Sequence, residues 1–326
     1  MTVPSIKVLV ITYRRPVLLK RALMSLVQQS YPHWIAEVLN DDPADNSVIN
    51  LINEINDKRI SLSQPAVKRG GTGNFNYVFD HTINETFACI LEDDNWYEAD
   101  FLHDMLSALN SNLGVKMAVA NEKIWKEDIN NNWVDTGQTI WPIENENEFF
   151  PFRLVDKCGT AKICNSSMFW RTTGANWLTP TEIPIDVTEH FRERAIPHPI
   201  LLVKKPLVNF SETLQSSRTY KSNAWSVYQA LLIASVFEGI EPNERIVLAE
   251  KLWEKARTDE KLFKTALFNA AWVSKAPFIL FKKSTLSEKI RYALTLIKNP
   301  KLITDCAGAA KKHHSSWQFL LTHIHA

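Results

Sequence analysis

The chain has 326 residues, 45% hydrophobic and 22% charged, which is ordinary for a globular protein and enough to bury one large core or two smaller ones. A formal net charge of +1 excludes nucleic-acid binding by bulk electrostatics, and no run of about 18 apolar residues is present to thread a membrane. The four cysteines (Cys89, Cys158, Cys164, Cys306) form no Cys-x-x-Cys pair, and the N-terminus lacks the basic-then-apolar pattern of a secretory signal, so a cytosolic protein with reduced thiols is expected.

Strand and helix alternate over the first third of the chain. Lys7–Thr12 is a β-rich apolar run, and Pro16 opens a helix over Val17–Gln29 with Leu18, Leu19, Ala22, Leu23 and Leu26 at helical spacing. Trp34–Leu39 reads as a second strand, Ser47–Ile55 as a helix, Arg59–Ser63 as a third strand and Gly71–His81 as a helix after a glycine-rich turn. Phe87–Leu91, Ala99–Leu109 and Val115–Ala120 continue as strand, helix and strand. This rhythm predicts an α/β fold with a doubly wound, mostly parallel sheet and helices on both faces. Residues 121–180, rich in Trp, Asn, Thr and Pro, read as hairpins and loops, with a strand-like stretch at Lys162–Trp170. Asp186–Arg194 reads as a short helix and His198–Lys204 as a strand. From about Ser222 the pattern is helical: Ala224–Phe237, Asn243–Arg257, Asp259–Val273, Leu286–Lys298 and Leu302–Lys312. A boundary is expected within the polar segment Ser211–Ser222, dividing residues 1–220 from a helical region, 221–326.

Four polar clusters follow the first four strands. They are Thr12-Tyr13-Arg14-Arg15, then Asn40-Asp41-Asp42-Pro43-Ala44-Asp45-Asn46, then Lys68-Arg69-Gly70-Gly71-Thr72-Gly73-Asn74, then Glu92-Asp93-Asp94. Parallel strands place all four on one sheet edge, the edge where ligands bind in open α/β folds. Adjacent carboxylates there suit a hard divalent cation, and arginine with glycine suits phosphate; a nucleotide diphosphate needs both. Each cluster has a plainer reading: a turn capped by Asp45, a permissive glycine turn, a solvated arginine pair, a turn leading into the helix after Glu98. The glycine segment is neither a P-loop nor Gly-x-Gly-x-x-Gly.

Three segments also carry a family resemblance. Lys7–Pro16, Leu26-Val27-Gln28-Gln29-Ser30-Tyr31-Pro32, and Val38–Asp42 followed by Asp45-Asn46-Ser47 resemble the opening of inverting family 2 glycosyltransferases, which have the GT-A fold. Leu91-Glu92-Asp93-Asp94-Asn95-Trp96 is similar to their metal-binding Asp-x-Asp element, with Glu92 as its first acid. The resemblance implies a nucleotide-sugar donor and Mg²⁺ or Mn²⁺ as cofactor. It implies that Thr12, Tyr13 and Arg14 line the nucleotide pocket, that Asp42 (or Asp41) meets the base, and that Arg69 and Asn74 lie near the base or diphosphate. Asp93 and Asp94 would hold the cation, with Glu92 in support. Pro43 stands where the family has a small residue.

An inverting displacement also needs a base for the acceptor hydroxyl. The family places an acid before a short helix with a downstream arginine, and Pro184–Arg192 is the best match here, with Ile185 in place of a preceding acid. Asp186 is the first candidate, Glu189 the second and His190 the third; Asp186 as a simple helix cap is the alternative. From Lys282 onward eight Lys/Arg face two acids, and Leu286, Ile290, Ala293, Leu294 and Ile297 form a helical stripe. That segment, with Trp317–Leu321, either meets an anionic membrane surface or packs on the catalytic domain with its charges in water. The resulting expectation is a metal-assisted glycosyltransferase of the bacterial surface-polysaccharide kind. It would be cytoplasmic or peripheral on the inner membrane face and act on a glycan or lipid-linked acceptor. A nucleotidyltransferase and a catalytically degenerate scaffold are the rivals.

Overall fold

The computed structural model describes residues 4–80, 82–214, 223–258 and 264–324. The chain divides into two compact units, Met1–Pro151 with Lys162–Leu178 and Pro197–Ser217, and Phe152–Ala161 with Thr179–Ile196 and Arg218–Ala326.

The first unit is built on one sheet. Its strands are β1 (Ile6–Thr12), β2 (Trp34–Asn40), β3 (Ile60–Ser63), β4 (Phe87–Glu92), β5 (Trp96–Tyr97), β6 (Met117–Glu127), β7 (Trp133–Thr139), β8 (Glu148–Phe150), β9 (Met168–Arg171) and β10 (Ile200–Glu212). Its helices are α1 (Pro16–Val27), α2 (Ser47–Ile55), α3 (Gly71–Asp80) and α4 (Phe101–Asn110). The sheet order is β3-β2-β1-β4-β9-β6-β10-β5, with β7 on β6 and β8 on β10. The four strands β3, β2, β1 and β4 are parallel, as the alternating pattern predicts. Beyond them the sheet is mixed, because β9 runs antiparallel between β4 and β6 while β10 pairs parallel with β6.

Both faces of the sheet are covered, and the period of two along each strand decides which side chain goes where. Ile6, Val8 and Val10 share one core with Leu19 and Leu23 of α1, Val48 of α2 and Met105 of α4. Phe169 joins that core, whereas its neighbour Trp170 packs on Phe79 of α3 with ring centroids 5.3 Å apart.

Three expectations change in detail. Only Met168–Arg171 of the strand-like stretch at Lys162–Trp170 is strand; Asn165–Ser167 is a 3-10 turn whose buried polar side chains suit a turn better than a ladder. The strand after α4 runs on to Glu127 and returns through β7 as a hairpin. The strand foreseen at His198–Lys204 continues as β10 to Glu212, its ladder shifting register around Pro206, which has no N–H to donate. The expected boundary segment therefore begins inside β10, and its residues 215–222 lie outside the described residues.

The second unit is helical: α5 (Leu154–Lys157), α6 (Thr188–Ala195), α7 (Ala224–Glu238), α8 (Pro242–Thr258), α9 (Lys264–Val273), α10 (Phe278–Lys283), α11 (Leu286–Lys298), α12 (Lys301–Cys306), α13 (Ala309–Lys312) and α14 (His314–Thr322). Helix α7 is apolar on all sides and buried from Val227 to Phe237, as a central helix must be. Trp253, Phe268, Leu280 and Leu320 belong to the same core. Of the helix expected at Asp259–Val273, residues 259–263 lie outside the described residues. The helix expected at Leu302–Lys312 is two helices, broken where Gly308 takes φ +77°. Trp317–Leu321 is not a free membrane-facing stretch: it lies in α14, where Leu320 is buried and Trp317 and Phe319 pack on the helical core.

Candidate functional site

The strand register brings the polar clusters together. Thr12 pairs with Asn40, and Ile11 pairs with Glu92, so β1, β2 and β4 end in one row and their following loops leave from the same edge. Backbone bonds tie those loops back: Asp41 N–H donates to the Thr12 carbonyl at 3.1 Å and Asp93 N–H to the Ile11 carbonyl at 3.0 Å.

Asp93 is only 5% exposed. Its Oδ2 accepts from Thr12 Oγ1 at 2.8 Å and from Tyr13 N–H at 3.2 Å. Arg15 Nη1 sits between the two carboxylates, 2.9 Å from Asp94 Oδ2 and 3.5 Å from Asp93 Oδ1. Burial, reinforced by the charge of Asp94, pushes the Asp93 carboxyl up from 3.8 to about 6, against the opposing pull of Arg15, Thr12 and the Tyr13 N–H. Burial raises Asp94 as well, with Arg15 opposing. The pair is thus a place where added positive charge is strongly favoured.

The turn bearing these acids is held from below. Arg21 of α1 lies with its guanidinium carbon 3.8 Å from the Trp96 ring centroid and 4.2 Å from that of Trp133. From there it donates to the Asp94 carbonyl at 2.6 Å and to Ser211 Oγ at 2.9 Å. Asn95 Oδ1 accepts from Ser211 N–H at 2.9 Å, and Asn95 Nδ2 donates to Ser166 Oγ at 2.8 Å. Ser166 in turn donates to Glu92 Oε2 at 2.9 Å. The acidic trio is therefore divided: Asp93 and Asp94 share Arg15, while the Glu92 carboxylate is engaged by Ser166.

Asp41 and Asp42 differ in the same way. Asp41, 3% exposed, accepts the Arg69 N–H at 2.7 Å and so clamps the third loop to the second. Asp42 accepts from Arg14 Nε and, at 3.1 Å, from Ala44 N–H, and these bonds hold its carboxyl below the usual range. Arg14 itself adopts φ +58°, a conformation that L-residues rarely take and that clusters at functional loops. The Arg69 guanidinium stacks 3.8 Å above the Tyr77 ring and donates to Asn74 Oδ1 at 3.3 Å, and Asn74 is fixed by donating to the Leu39 carbonyl at 3.2 Å. Lys68 Nζ lies 3.7 Å over the half-exposed Tyr13 ring.

Thr12, Tyr13, Arg14, Asp41, Asp42, Arg69, Asn74, Glu92, Asp93 and Asp94 are thus gathered at one edge of the first unit. Asp186 and Glu189 belong to the second unit, Asp186 in the 3-10 turn Ile185–Val187 and Glu189 in the first turn of α6. In that unit, burial and the nearby Arg194 push His190 down to about 4, leaving a neutral ring at pH 7. Arg15 stands out in the sequence only as part of the first polar cluster, and Arg21, Ser166 and Ser211 carry no role there. The first two stood in or near a quoted motif, but the serines meet the acidic turn across more than 70 residues of chain and leave no local signal.

Two carboxylates with only oxygen donors fit a hard divalent cation that takes its remaining ligands from a diphosphate and water. Among the described residues no cluster of three or more His, Cys, Asp or Glu forms a complete protein cage.

A largely parallel sheet with acids and arginines converging on its carboxyl edge is an arrangement of the GT-A type. Residues 7–173, half of the chain, match the model of the glycosyl transferase family 2, and the chain belongs to that family. Staphylococcus aureus TarS (residues 1–349, in complex with UDP) superposes with TM-score 0.56 at 14% identity, over 98% of this chain and 90% of that one. The same protein in complex with UDP-GlcNAc gives 0.55 at 13% identity, with 98% and 90% covered. At such identities the likeness is one of fold, and it extends through the helical region that the family model leaves out. No curated protein matches the chain in sequence. Family membership rules against the nucleotidyltransferase alternative.

Proposed function

We propose that the protein transfers a sugar from a nucleoside-diphosphate donor to a hydroxyl of a glycan or lipid-linked acceptor, with inversion and with divalent-metal assistance. The observation that carries this reading is the buried Asp93 and its half-buried neighbour Asp94 sharing Arg15 in the same row of strand ends as Asp42. Asp42, rather than the clamped Asp41, is assigned to the nucleobase. Tyr13, Arg14, Arg69 and Asn74 line the nucleoside and diphosphate side. Asp93 and Asp94 would hold Mg²⁺ or Mn²⁺, which supplies charge neutralisation of the leaving diphosphate. Arg15, already beside that pair, is free to turn its guanidinium to the diphosphate once the carboxylates have another counter-charge.

In the transfer, the acceptor oxygen forms the new bond to the anomeric carbon as the bond to the diphosphate oxygen breaks. The hydroxyl proton passes to a carboxylate, with Asp186 the first assignment and Glu189 the second. His190, held neutral with a value of about 4, is poorly matched to the task. The UDP and UDP-GlcNAc complexes of TarS make uridine donors the first to test. A cytoplasmic location and a role in surface-polysaccharide assembly complete the proposal.

The test is release of nucleoside diphosphate from a panel of nucleotide sugars with Mn²⁺. Turnover with at least one donor that disappears in Asp94→Ala, with the fold retained, supports the reading. No turnover with any donor favours the scaffold, and full activity in Asp94→Ala or in excess chelator removes the metal role.

A further inference from the structure

Helix α11 carries a solvent-facing apolar stripe that the helical core does not use. Leu286 is 74% exposed, Ile290 53%, Leu294 53% and Ile297 76%. At 3.6 residues per turn these side chains fall within an arc of about 80°. The opposite side of the helix is anchored. Tyr292 is buried, stacks on Phe268 with centroids 4.5 Å apart and donates to Asn269 Oδ1 at 2.8 Å. Glu288 pairs with Arg257 at 2.9 Å and completes a capping box with Thr285, which starts the helix. The stripe therefore faces outward because the other face is fixed.

The charges around the stripe have one sign. On the helical wheel Lys289 flanks it on one side and Arg291 and Lys298 on the other. Lys282 on α10 and Lys301 on α12 extend the basic character at both ends. The only acid between Phe278 and Lys301 is Glu288, already committed to Arg257. Among the described residues, Lys282, Lys289, Arg291, Lys298 and Lys301 form no ion pair with an acid. Four large aliphatic side chains bordered on both sides by cations that pair with no acid, Lys289 resting over the Phe281 ring, match a bilayer interface: the aliphatic groups enter the acyl boundary and the long basic side chains reach anionic headgroups.

We propose that the outer face of α11 is a docking surface for an anionic lipid bilayer, with the helix lying in the plane of the interface. This places the contact on α11 and not on Trp317–Leu321, which the core occupies. Docking through α11 does not depend on the transfer reaction.

The experiment is co-sedimentation of the full-length protein with vesicles of phosphatidylcholine alone or mixed with phosphatidylglycerol, at low and high salt. Binding to the anionic vesicles is expected, weakening with salt because exposed charges are screened. The triple substitution Lys289→Gln, Arg291→Gln, Lys298→Gln should weaken it on the order of 100-fold. Ile290→Glu with Leu294→Glu should abolish it, while circular dichroism and melting temperature stay at wild-type values because these positions are exposed. Equal binding to neutral vesicles, unchanged binding in either variant, or no binding at low salt would overturn the proposal. So would a homodimer in light scattering that the Ile290→Glu, Leu294→Glu variant disperses, since the stripe would then be covered by a second copy.

Discussion

Asp93→Asn should make the metal-free protein more stable while destroying its site. The Asp93 carboxyl is pushed from 3.8 to about 6 by burial and by Asp94. At about 1.4 kcal/mol per pKa unit, that shift corresponds to about 3 kcal/mol of strain carried by the ionised form. The native state binds this proton more tightly than the unfolded chain does. Stability therefore falls as pH rises from about 4 to about 6, and the penalty is fully present at pH 7. Asparagine can still accept from Thr12 Oγ1 and the Tyr13 N–H, so the hydrogen bonds survive and the charge goes. The assay is thermal unfolding of wild type and Asp93→Asn in chelator from pH 4 to pH 8. The expected difference is near zero at the acid end and grows to roughly 5–10 °C in favour of the variant at neutral pH. Mn²⁺ with a nucleoside diphosphate should raise the melting temperature of the wild type only. A difference curve that is flat, or that favours the wild type at pH 7 in chelator, would mean that the ionised Asp93 carboxylate does not destabilise the fold.

Arg15→Gln removes the one guanidinium shared by Asp93 and Asp94. Because Arg15 is partly exposed, a screened value of roughly 1–2 kcal/mol is expected to be lost from the metal-free protein at pH 7, and the Mn²⁺-induced rise in melting temperature should grow. Asp186→Asn keeps the size and shape of the side chain inside the 3-10 turn that Pro184 caps, so donor binding by calorimetry should persist while turnover drops by roughly 100-fold or more; an active Asp186→Asn with a dead Glu189→Gln moves the base to Glu189. Leu320→Ala opens a cavity in the helical core and should cost about 2–5 kcal/mol in chemical denaturation, and a neutral result would mean α14 is not packed as described.

The first four strands and their helices were legible because each is a local pattern: β-branched runs, apolar residues at helical spacing, Pro16 at a helix start, glycine before α3. The acid and arginine clusters were legible for the same reason, since parallel strands deliver consecutive loops to one edge. What could not be read was pairing at long range. β9 begins at Met168, far along the chain from the end of β4 at Glu92, yet inserts beside it, and nothing near Met168 announces that partner. Ser166 supports the acidic turn from the 3-10 turn before β9 and Ser211 from the end of β10, both in ordinary polar segments. The stripe on α11 was visible as periodicity, but whether it faced core or solvent depended on Tyr292 and Glu288 finding partners on α9 and α8. At Trp317–Leu321 the opposite held, with an apolar stretch near a basic tail drawn into the core by its neighbours.

The most direct measurement is calorimetric titration of the full-length protein with UDP and other nucleoside diphosphates, in Mn²⁺ and in chelator, for wild type, Asp93→Ala and Asp94→Ala. At least one diphosphate should bind, Mn²⁺ should tighten its binding at least about 10-fold, which is ~1.4 kcal/mol, and this gain should disappear in both variants. Equal affinity in chelator and Mn²⁺, or the same metal gain in the variants, would contradict the assignment of the Asp93–Asp94 edge as the donor site.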